Sequence, residues 1–410
     1  MKLKKQDPKV YKAIQGELKR QQEGMELIAS ENYVSPAVLE ALGSVFTNKY
    51  SEGLPGKRYY GGQDYTDVVE SLAIERAKKV FGAEHVNVQP LSGAPANMIV
   101  YSAVLKPGDT VLGMDLSHGG HLTHGHPVTL SAKIYRFVRY KTDASGKIDY
   151  DELEKMAVRE KPKLILAGFS AYTRQLDYKK FQEIAQKVGA ITMFDIAHIA
   201  GLIAGGAIPN PVPYFDIITT TTHKTLRGPR GGMIMCKQKY TEVIDKAVFP
   251  GFQGGPHMNN IAALAVALGE ALKPSFKSYA KQIIKNAKVF EEELKKYGFK
   301  LMFGGTDNHM VLVDVFSSKG VTGKEAEKAL DKIGITINKN MIPDDPRKPM
   351  DPSGVRIGMP AITTRGMKEK EVKLIANWIK EAIENHANEK VLDVMHKEVI
   401  KLCKKFPLPR

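Results

Sequence analysis

The sequence is poor in the residues that mark secreted, membrane-spanning and fibrous proteins. Its two cysteines, Cys236 and Cys403, cannot supply a disulfide framework for 410 residues. No apolar run reaches ~18 residues, so we expect no segment to span a bilayer. No apolar signal core follows the basic N-terminus, and we expect a protein of the reducing cytoplasm. A content of 43% hydrophobic and 26% charged residues is ordinary for a globular protein with two or three domains, and excludes a disordered, collagen-like or coiled-coil chain.

Positive charge exceeds negative charge along the chain. There are 60 Lys and Arg residues and 45 Asp and Glu residues, which gives a formal net charge of +15. The lysines are spread over the whole sequence and mixed with glutamates, which favours a solvated charged surface. An attraction for polyanionic small molecules is the next interpretation. We expect no binding to nucleic acid, since no recognisable motif for it is present.

Helical and strand patterns alternate from about residue 67 to residue 236. Apolar spacing predicts helices over 67–81 and 178–188, and β-branched or aliphatic runs predict strands over 110–114, 163–168, 190–194 and 216–220. This alternation predicts an α/β fold with a mostly parallel sheet covered on both faces. Ligands of such sheets bind at the carboxyl ends of the strands, where we therefore look for functional residues.

The last third of the chain has a different pattern. We predict helices over 278–297 and 369–385, and a helix that begins with a capping box of Thr322 and Glu325 and ends near Gly334. Strands are predicted over 309–315, with one exposed face, and over 335–338 and 355–358. The predicted domains are an N-terminal helix and loop arm for subunit contacts over 1–60, a large domain over 61–275 and a small α+β domain over 276–410.

Lys224 follows the last of the four strands, behind four threonines and His223 and ahead of a glycine turn. Burial lowers the pKa of a lysine and makes its amine nucleophilic, as a Schiff-base lysine requires. Asp195 follows the preceding strand, 29 residues earlier, so both side chains could reach one cofactor ring. A carboxylate there could pair with a protonated pyridine nitrogen. The alternatives are a surface lysine and a helix N-cap aspartate.

Two further segments have the composition of ligand loops. Residues 91–97, which include Ser92, form a turn of small residues before a predicted helix over 98–105, and its free N–H groups could bind phosphate. A plain helix cap is the alternative. Residues 118–126 contain four of the eleven histidines. Their imidazoles could bind zinc, but we favour a histidine stacked on an aromatic cofactor, because no cysteine pair or carboxylate cluster lies nearby in the sequence.

Two charged residues outside these segments are candidates for substrate chemistry. Glu52 lies in a glycine- and tyrosine-rich loop over 48–62 and could act as a general acid, or the loop could simply be flexible and basic. Arg356 lies within a short apolar strand, where a guanidinium needs a partner. That partner could be a substrate carboxylate or a structural salt bridge.

Together these motifs resemble those of the serine hydroxymethyltransferases, a family of fold-type-I pyridoxal-phosphate enzymes. The resemblance extends from about Leu27 to Arg365, and more weakly to Pro407. The Lys224 and Asp195 segments would suit many pyridoxal-phosphate enzymes, whereas the Glu52 and His121 loops are specific to this family. The matching segments are residues 27–33, the Glu52 loop, the His121 loop, 169–172, the Lys224 segment, 249–256 and 304–309. The resemblance implies a mostly parallel seven-stranded sheet in the large domain and a smaller C-terminal α+β domain.

The resemblance implies a role for each motif residue. Lys224 would form the Schiff base with pyridoxal 5'-phosphate, Asp195 would pair with its pyridine nitrogen and His121 would stack on its ring. The other cofactor contacts would be Ser92, Gly93, Ala94, Ser170, His198, His223, Tyr50 and Gly255. Serine would contact Ser30, Glu52, Tyr60, His198 and Arg356, and the folate would contact Leu116, Gly120, His121, Leu122 and Asn340. Tyr50, Glu52 and Tyr60 would come from a second subunit, as would Gly255, so the active site would need a homodimer.

The implied reaction is the reversible transfer of the hydroxymethyl group of serine to tetrahydrofolate, which gives glycine and 5,10-methylenetetrahydrofolate. Glu52 would donate or accept a proton. The chain departs from the family at Ala94, where many members have serine, and over 347–353, near the expected folate pocket. A threonine aldolase acting without folate is the nearest alternative. A histidine-rich metal hydrolase and a basic nucleic-acid-binding protein are alternatives of other classes.

Overall fold

The computed structural model describes residues 2–409, and among these no helix is long and apolar enough to cross a membrane. Its strands are β1 (Met25–Glu26), β2 (Gly53–Leu54), β3 (Lys57–Arg58), β4 (His85–Asn87), β5 (Thr110–Met114), β6 (Arg136–Tyr140), β7 (Leu164–Gly168), β8 (Ile191–Asp195), β9 (Ile217–Thr221), β10 (Gly232–Cys236), β11 (Lys300–Leu301), β12 (Met310–Asp314), β13 (Ile335–Thr336), β14 (Asn338–Asn340) and β15 (Gly354–Gly358).

Its α-helices are α1 (Lys2–Gln6), α2 (Pro8–Glu23), α3 (Pro36–Leu42), α4 (Asp64–Phe81), α5 (Gly93–Val104), α6 (Leu130–Ile134), α7 (Tyr150–Glu160), α8 (Tyr178–Val188), α9 (Ala200–Ala204), α10 (Thr241–Lys246), α11 (Met258–Ala271), α12 (Pro274–Lys296), α13 (Val315–Lys319), α14 (Gly323–Lys332), α15 (Pro360–Thr364), α16 (Glu369–Glu384) and α17 (Glu389–Lys405).

The described residues form two compact units. The first comprises residues 34–284 and 303–309, and the second comprises the other described residues. We refer to them as the large unit and the small unit. The domain boundaries drawn from the sequence, at residues 60 and 275, stay a prediction.

A seven-stranded sheet forms the centre of the large unit, in the order β4-β10-β9-β8-β7-β5-β6. The pairs from β6 to β9 are parallel, while β10 is antiparallel to both β4 and β9, so the sheet is mixed. Every residue of β7 and β9 is buried, as expected for short aliphatic strands covered on both faces. The predicted α/β class and the seven strands are confirmed.

Capping residues and apolar spacing in the sequence predicted the bounds of some elements closely. Helix α8 has the predicted bounds, with Asp177 accepting a hydrogen bond at its N-cap and Gly189 in the left-handed conformation after it. The helix expected to begin at residue 98 instead begins at Gly93. The small residues and Pro95 suggested a turn, but a proline fits in the first helical turn because N–H groups there have no intrahelical partner.

The small unit contains a four-stranded antiparallel sheet in the order β11-β12-β15-β14, and a short parallel pair of β1 with β13. The capping box of α14 is confirmed, with Glu325 N–H donating to Thr322 Oγ1 and Thr322 N–H donating to Glu325 Oε2. The prediction of an exposed face on β12 is wrong. All five of its residues are buried, because both faces of this strand are covered.

Arg365 holds two helix ends together in the small unit. Its guanidinium is buried and donates to carbonyls at the ends of α2 and α17, where the last turn leaves carbonyls without helical partners. The acceptors are the carbonyl oxygens of Gln21, Gln22, Gly24, Cys403 and Phe406, at 2.6–3.3 Å. The side chain of Arg365 therefore supplies hydrogen-bond donors to the C-terminal ends of both helices.

We expect Arg365→Lys to lower the free energy of unfolding by about 3 kcal/mol, because one ammonium cannot reach five buried carbonyls. Urea unfolding followed by circular dichroism measures the change. Arg159→Lys is the matched control, since Arg159 is exposed and pairs only with its neighbour Glu160. Equal unfolding midpoints for the two variants would show that Arg365 does not join the helices.

Candidate active site

A buried carboxylate lies at the carboxyl end of β8. Asp195 Oδ1 accepts a hydrogen bond from Ala197 N–H at 3.0 Å, and Oδ2 accepts one from Asn97 Nδ2 at 2.8 Å and contacts His124 Nε2 at 3.3 Å. Burial opposes ionisation, but the hydrogen bonds from His124 and Asn97 outweigh it and hold the pKa of Asp195 well below its usual range. Asp195 does not cap a helix, because α9 begins five residues later with Ile199 at its N-cap. The carboxylate is therefore charged and directed to the sheet edge.

Lys224 lies three residues beyond the end of β9, in a loop held by hydrogen bonds on both sides. The Gly228 N–H donates to the Thr222 carbonyl at 2.8 Å, and Thr222 Oγ1 donates to the Pro229 carbonyl. Thr225 Oγ1 donates to the carbonyl of His198 at 2.9 Å. The Lys224 side chain itself is half-buried. Because β8 and β9 are neighbours, the predicted placement of Lys224 and Asp195 on adjacent strands is confirmed.

The N-terminus of α5 lies at the same sheet edge. Ser92 is the N-cap in an extended conformation, its side chain makes no capping hydrogen bond, and the first turn contains no acidic residue. A Cβ atom on Gly93 would lie 2.7 Å from Thr221 Cγ2, so only glycine allows this approach to β9. The first-turn N–H groups at Gly93 and Ala94 have no carbonyl of the helix to donate to, and such groups can bind an anion.

The four histidines of residues 118–126 do not form one cluster. His118 is buried against Thr142, whereas the ring of His121 contacts that of His124 edge-on, with centroids 5.6 Å apart. His124 Nδ1 accepts from the His121 N–H, which leaves Nε2 as the nitrogen that donates to Asp195. His121, His124 and Asp195 hold donor atoms within 4.8 Å of one another, a spacing that a metal ion could also use. The fold thus supplies the carboxylate that sequence spacing alone did not place near the histidines.

Further histidines follow the neighbouring strands. His198 is buried with its Nδ1 3.3 Å from His309 Nε2, and the two rings stack at an interplanar angle of 25°. Burial, together with Arg230 and Lys224, lowers the pKa of His223 to about 3, so this ring is neutral. Its buried Nδ1 has no hydrogen-bond partner among residues 2–409. Ser170 follows β7 and donates its N–H to the Gly119 carbonyl at 2.7 Å.

Glu52 lies in a second cluster of the large unit. The Tyr50 hydroxyl donates to Glu52 Oε1 at 2.9 Å, and this hydrogen bond raises the pKa of Tyr50. The rings of Tyr50 and Tyr60 meet edge-on at 5.3 Å, and a Cβ atom on Gly255 would lie 3.2 Å from the Tyr50 ring. The four residues that the resemblance implies for the neighbouring subunit's site thus lie together on one chain.

Arg58 holds the backbone on both sides of Glu52. Its guanidinium is buried and donates to the carbonyls of Ser51, at 3.0 Å, and Gly53, at 2.8 Å. The same group forms ion pairs at 2.9 Å with Asp67 and at 2.5 Å with Glu70, both on α4. The loop over 48–62 is therefore anchored here, which disfavours the alternative of a loop that is simply flexible and basic.

The residues expected at the folate divide between the two units. Leu116, Gly120 and Leu122 follow β5 in the large unit; Gly120 is buried, and Leu122 is exposed. In the small unit, Asn340 ends β14 and donates from Nδ2 to the Met341 carbonyl at 2.7 Å.

The small unit also contains the candidate for carboxylate binding. Arg356 is buried in β15, and its Nε donates to Asn338 Oδ1 at 3.1 Å. Burial lowers its pKa to about 10, which still leaves the guanidinium charged at neutral pH. The Gly358 N–H donates to the Leu27 carbonyl at 2.8 Å, so the segment that leads to Ser30 runs beside the end of β15.

These groups fit pyridoxal phosphate. The sheet edge provides a lysine, a charged carboxylate, an uncapped helix N-terminus and a buried imidazole nitrogen without a partner. The lysine matches the aldehyde of this cofactor, the carboxylate its pyridine nitrogen and the helix N-terminus its phosphate. The imidazole nitrogen matches a polar edge of its ring. A seven-stranded α/β unit with these groups at one sheet edge defines a pyridoxal-phosphate enzyme of fold type I.

Comparison with known proteins identifies the family. Residues 3–379 match the family model described as serine hydroxymethyltransferase. Curated proteins named serine hydroxymethyltransferase from Koribacter versatilis (strain Ellin345) and Acidobacterium capsulatum are each 57% identical over 407 residues, which is 99% of this chain and 95% of theirs. The chain belongs to the serine hydroxymethyltransferase family, whose members are pyridoxal-phosphate-dependent transferases that use tetrahydrofolate as co-substrate.

The sequence pattern missed three residues that the structure places at these clusters. Asn97 and His124 both contact Asp195. In the sequence they are only members of a small-residue turn and of a histidine-rich segment. Arg58 had been counted as one of the loop's cations. The spacing of His121 and His124 by three residues is a signal that could have indicated a shared face.

We expect Gly168→Ala to disturb Asp195. Gly168 pairs with Asp195 across β7 and β8 at a φ of 142°, and a Cβ atom there would lie 3.0 Å from both Asp195 Cβ and His124 Cε1. The variant should lose about 3 kcal/mol of unfolding free energy and bind pyridoxal phosphate more weakly.

Gly189→Ala is the matched control, since Gly189 also has a positive φ, of 69°, but open space around it. It should lose about 1 kcal/mol and keep its cofactor affinity. Urea unfolding and titration of the apoprotein with pyridoxal phosphate measure both effects. Equal cofactor affinities in the two alanine variants would contradict the role of Gly168.

Proposed function

We propose that the chain catalyses the reversible transfer of the hydroxymethyl group of serine to tetrahydrofolate, with Lys224 as the cofactor lysine. The observation that carries the proposal is the buried, ionised Asp195 at the sheet edge, on the strand next to the Lys224 loop. A charged carboxylate in such a place calls for a cationic partner, and a protonated pyridine nitrogen meets that need. The family match and this carboxylate support the same reaction.

The residues of the large unit have distinct tasks toward the cofactor. Pyridoxal phosphate, when bound, supplies an electron-withdrawing ring that weakens the bond between the α- and β-carbons of serine. Lys224 holds its aldehyde, Asp195 keeps its ring nitrogen protonated and His121 covers the ring. The phosphate is held by Ser92 and the N–H groups of Gly93 and Ala94, and because Ala94 lacks a hydroxyl, the backbone donors matter more in this chain. Ser170, His198 and the neutral His223 bound the edges of the cofactor site.

The substrate contacts are assigned residue by residue. Arg356 binds the carboxylate of serine, with Asn338 holding its Nε, and Ser30 adds a hydroxyl. Glu52 donates or accepts the proton at the hydroxyl of serine, with Tyr50 and Tyr60 beside it. The folate contacts are Leu116, Gly120, His121, Leu122 and Asn340.

Two observations support a homodimer with shared active sites. Helix α2 has no buried residue, and its apolar side chains Val10, Ile14 and Leu18 are 40–49% exposed along one face, at a spacing of four residues. The cluster of Tyr50, Glu52 and Gly255 belongs to one chain, as it must if it is delivered as a whole to the partner's site. We place the protein in the cytoplasm, in serine, glycine and one-carbon metabolism.

We expect the protein to convert serine to glycine only when tetrahydrofolate is present. Lys224→Ala should abolish turnover and the visible absorption of protein-bound pyridoxal phosphate, because no other amine can hold the aldehyde. Lys187→Ala, an exposed lysine at the end of α8, is the control and should keep both. Serine cleavage that proceeds equally well without tetrahydrofolate would move the function to an aldolase, and full activity of Lys224→Ala would refute the lysine's role.

A mixture of two inactive variants tests the shared site. If Lys224 and Glu52 of one site come from different subunits, a heterodimer of Lys224→Ala with Glu52→Gln contains one intact site and one doubly altered site. Random pairing makes half of the dimers heterodimers, so coexpression should restore about a quarter of the wild-type activity per chain.

Coexpression of Lys224→Ala with Asp195→Asn is the control and should restore nothing, since both positions belong to one sheet edge of the same chain. If the Glu52 mixture stays as inactive as this control while both variants dimerise, each site is built from a single chain and the shared arrangement is wrong.

A further inference from the structure

Asn97 links three elements at the sheet edge. It lies fully buried on α5, one turn after the residues assigned to the phosphate. Its Nδ2 donates to Asp195 Oδ2 at 2.8 Å and to Thr123 Oγ1 at 2.9 Å. Its Oδ1 accepts from Thr219 Oγ1 at 2.6 Å. The amide nitrogen and the amide oxygen of Asn97 therefore both have hydrogen-bond partners.

The chemistry of these partners determines which way the amide points. An ionised carboxylate can only accept hydrogen bonds, so the amide nitrogen of Asn97 has to face Asp195. The amide oxygen is then left toward Thr219, whose hydroxyl can donate to it. The opposite orientation would place the amide oxygen against the carboxylate, with two acceptors in contact and no proton between them.

The strand register places the hydroxyl where it can do this. Thr219 of β9 is the direct partner of Asp195 of β8 in the parallel pair. The side chain of Asn97 therefore extends from α5 to two residues that are paired across β8 and β9. Thr219 is fully buried, so no bulk water competes for the amide oxygen.

We propose that Asn97, held in place by the hydroxyl of Thr219, is a positioning residue that keeps the Asp195 carboxylate in its charged form for the ring nitrogen of the cofactor. The inference rests on the proposed role of Asp195. It adds that helix α5 acts on both ends of pyridoxal phosphate, through its first N–H groups at the phosphate and through Asn97 at the ring.

The position of the proton between Asp195 and the ring nitrogen indicates whether Asn97 has this positioning role. With the amide donor in place, the carboxylate is stabilised as an anion and the proton stays on the ring nitrogen. Without it, the proton moves toward Asp195 and the ring nitrogen becomes neutral. A side chain that only filled space would leave the position of the proton unchanged.

The test compares threonine variants as holoproteins. Thr219→Val removes the hydroxyl at nearly constant shape and leaves the buried amide oxygen of Asn97 without its donor, which weakens the hold on the amide beside Asp195, whereas Thr219→Ser keeps a donor. Thr220→Val is the matched control, because Thr220 is equally buried on the same strand but donates to the Thr221 carbonyl. The readouts are the ¹⁵N chemical shift of pyridoxal phosphate labelled at the ring nitrogen, and its dissociation constant from titration of the apoprotein.

We expect Thr219→Val to move the ¹⁵N shift toward that of a neutral pyridine and to weaken cofactor binding about tenfold. Thr219→Ser and Thr220→Val should match the wild type in both readouts. If Thr219→Val does not fold, Asn97→Ala, which removes the donor itself, should give the same two changes.

A protonated ring nitrogen with unchanged affinity in the variants that lack the hydroxyl or the amide would overturn the inference while leaving Asp195 in its role. A neutral ring nitrogen in the wild-type protein would overturn the role of Asp195, and the inference with it. The two failures are thus distinguished by the wild-type spectrum alone.

Discussion

A carboxylate buried at the end of a sheet has to be kept charged by its surroundings, and the site depends on how the fold does this for Asp195. Burial alone would favour the neutral acid. The backbone of Ala197, the imidazole of His124 and the amide of Asn97 each supply a hydrogen-bond donor, and together they outweigh burial. These donors come from the following turn, from the loop after β5 and from α5. The charge of one residue therefore depends on the packing of all three against the sheet.

Away from the sheet edge, buried guanidinium groups link separate segments of the chain by hydrogen bonds and ion pairs. Arg58 joins the backbone around Glu52 to two carboxylates of α4, and Arg365 joins the ends of α2 and α17. In both cases the planar group offers five N–H donors spread over three nitrogens, whereas a lysine offers three on a single nitrogen. Arg356 is buried too, and its Nε donates to Asn338 Oδ1. The same kind of side chain thus links separate segments of the chain wherever carboxylates or carbonyls surround it.

Elements with local signals were predicted well, and those without them were not. Helix α8 has an aspartate cap, an apolar stripe and a terminal glycine, and its predicted bounds are confirmed. The start of α5 was misplaced by five residues, because glycine and proline indicate a turn in isolation but are allowed in a first helical turn. For β12, alternation suggested one exposed face, and only the layers packed on both sides of the strand decide that it is buried.

The sequence by itself determined the α/β class, the family and the two residues that follow adjacent strands, Lys224 and Asp195. It could do so because strand ends are marked by short-range patterns, and because parallel neighbours bring their carboxyl ends to one edge. Only the tertiary structure decided which side chains act on Asp195, how Arg58 holds the backbone beside Glu52 and which way the amide of Asn97 points. These contacts join residues as much as 122 positions apart, such as Asn97 and Thr219. Hydrogen bonds need their atoms placed to within a few tenths of an ångström, and no spacing rule in a single sequence determines such distances between separate elements.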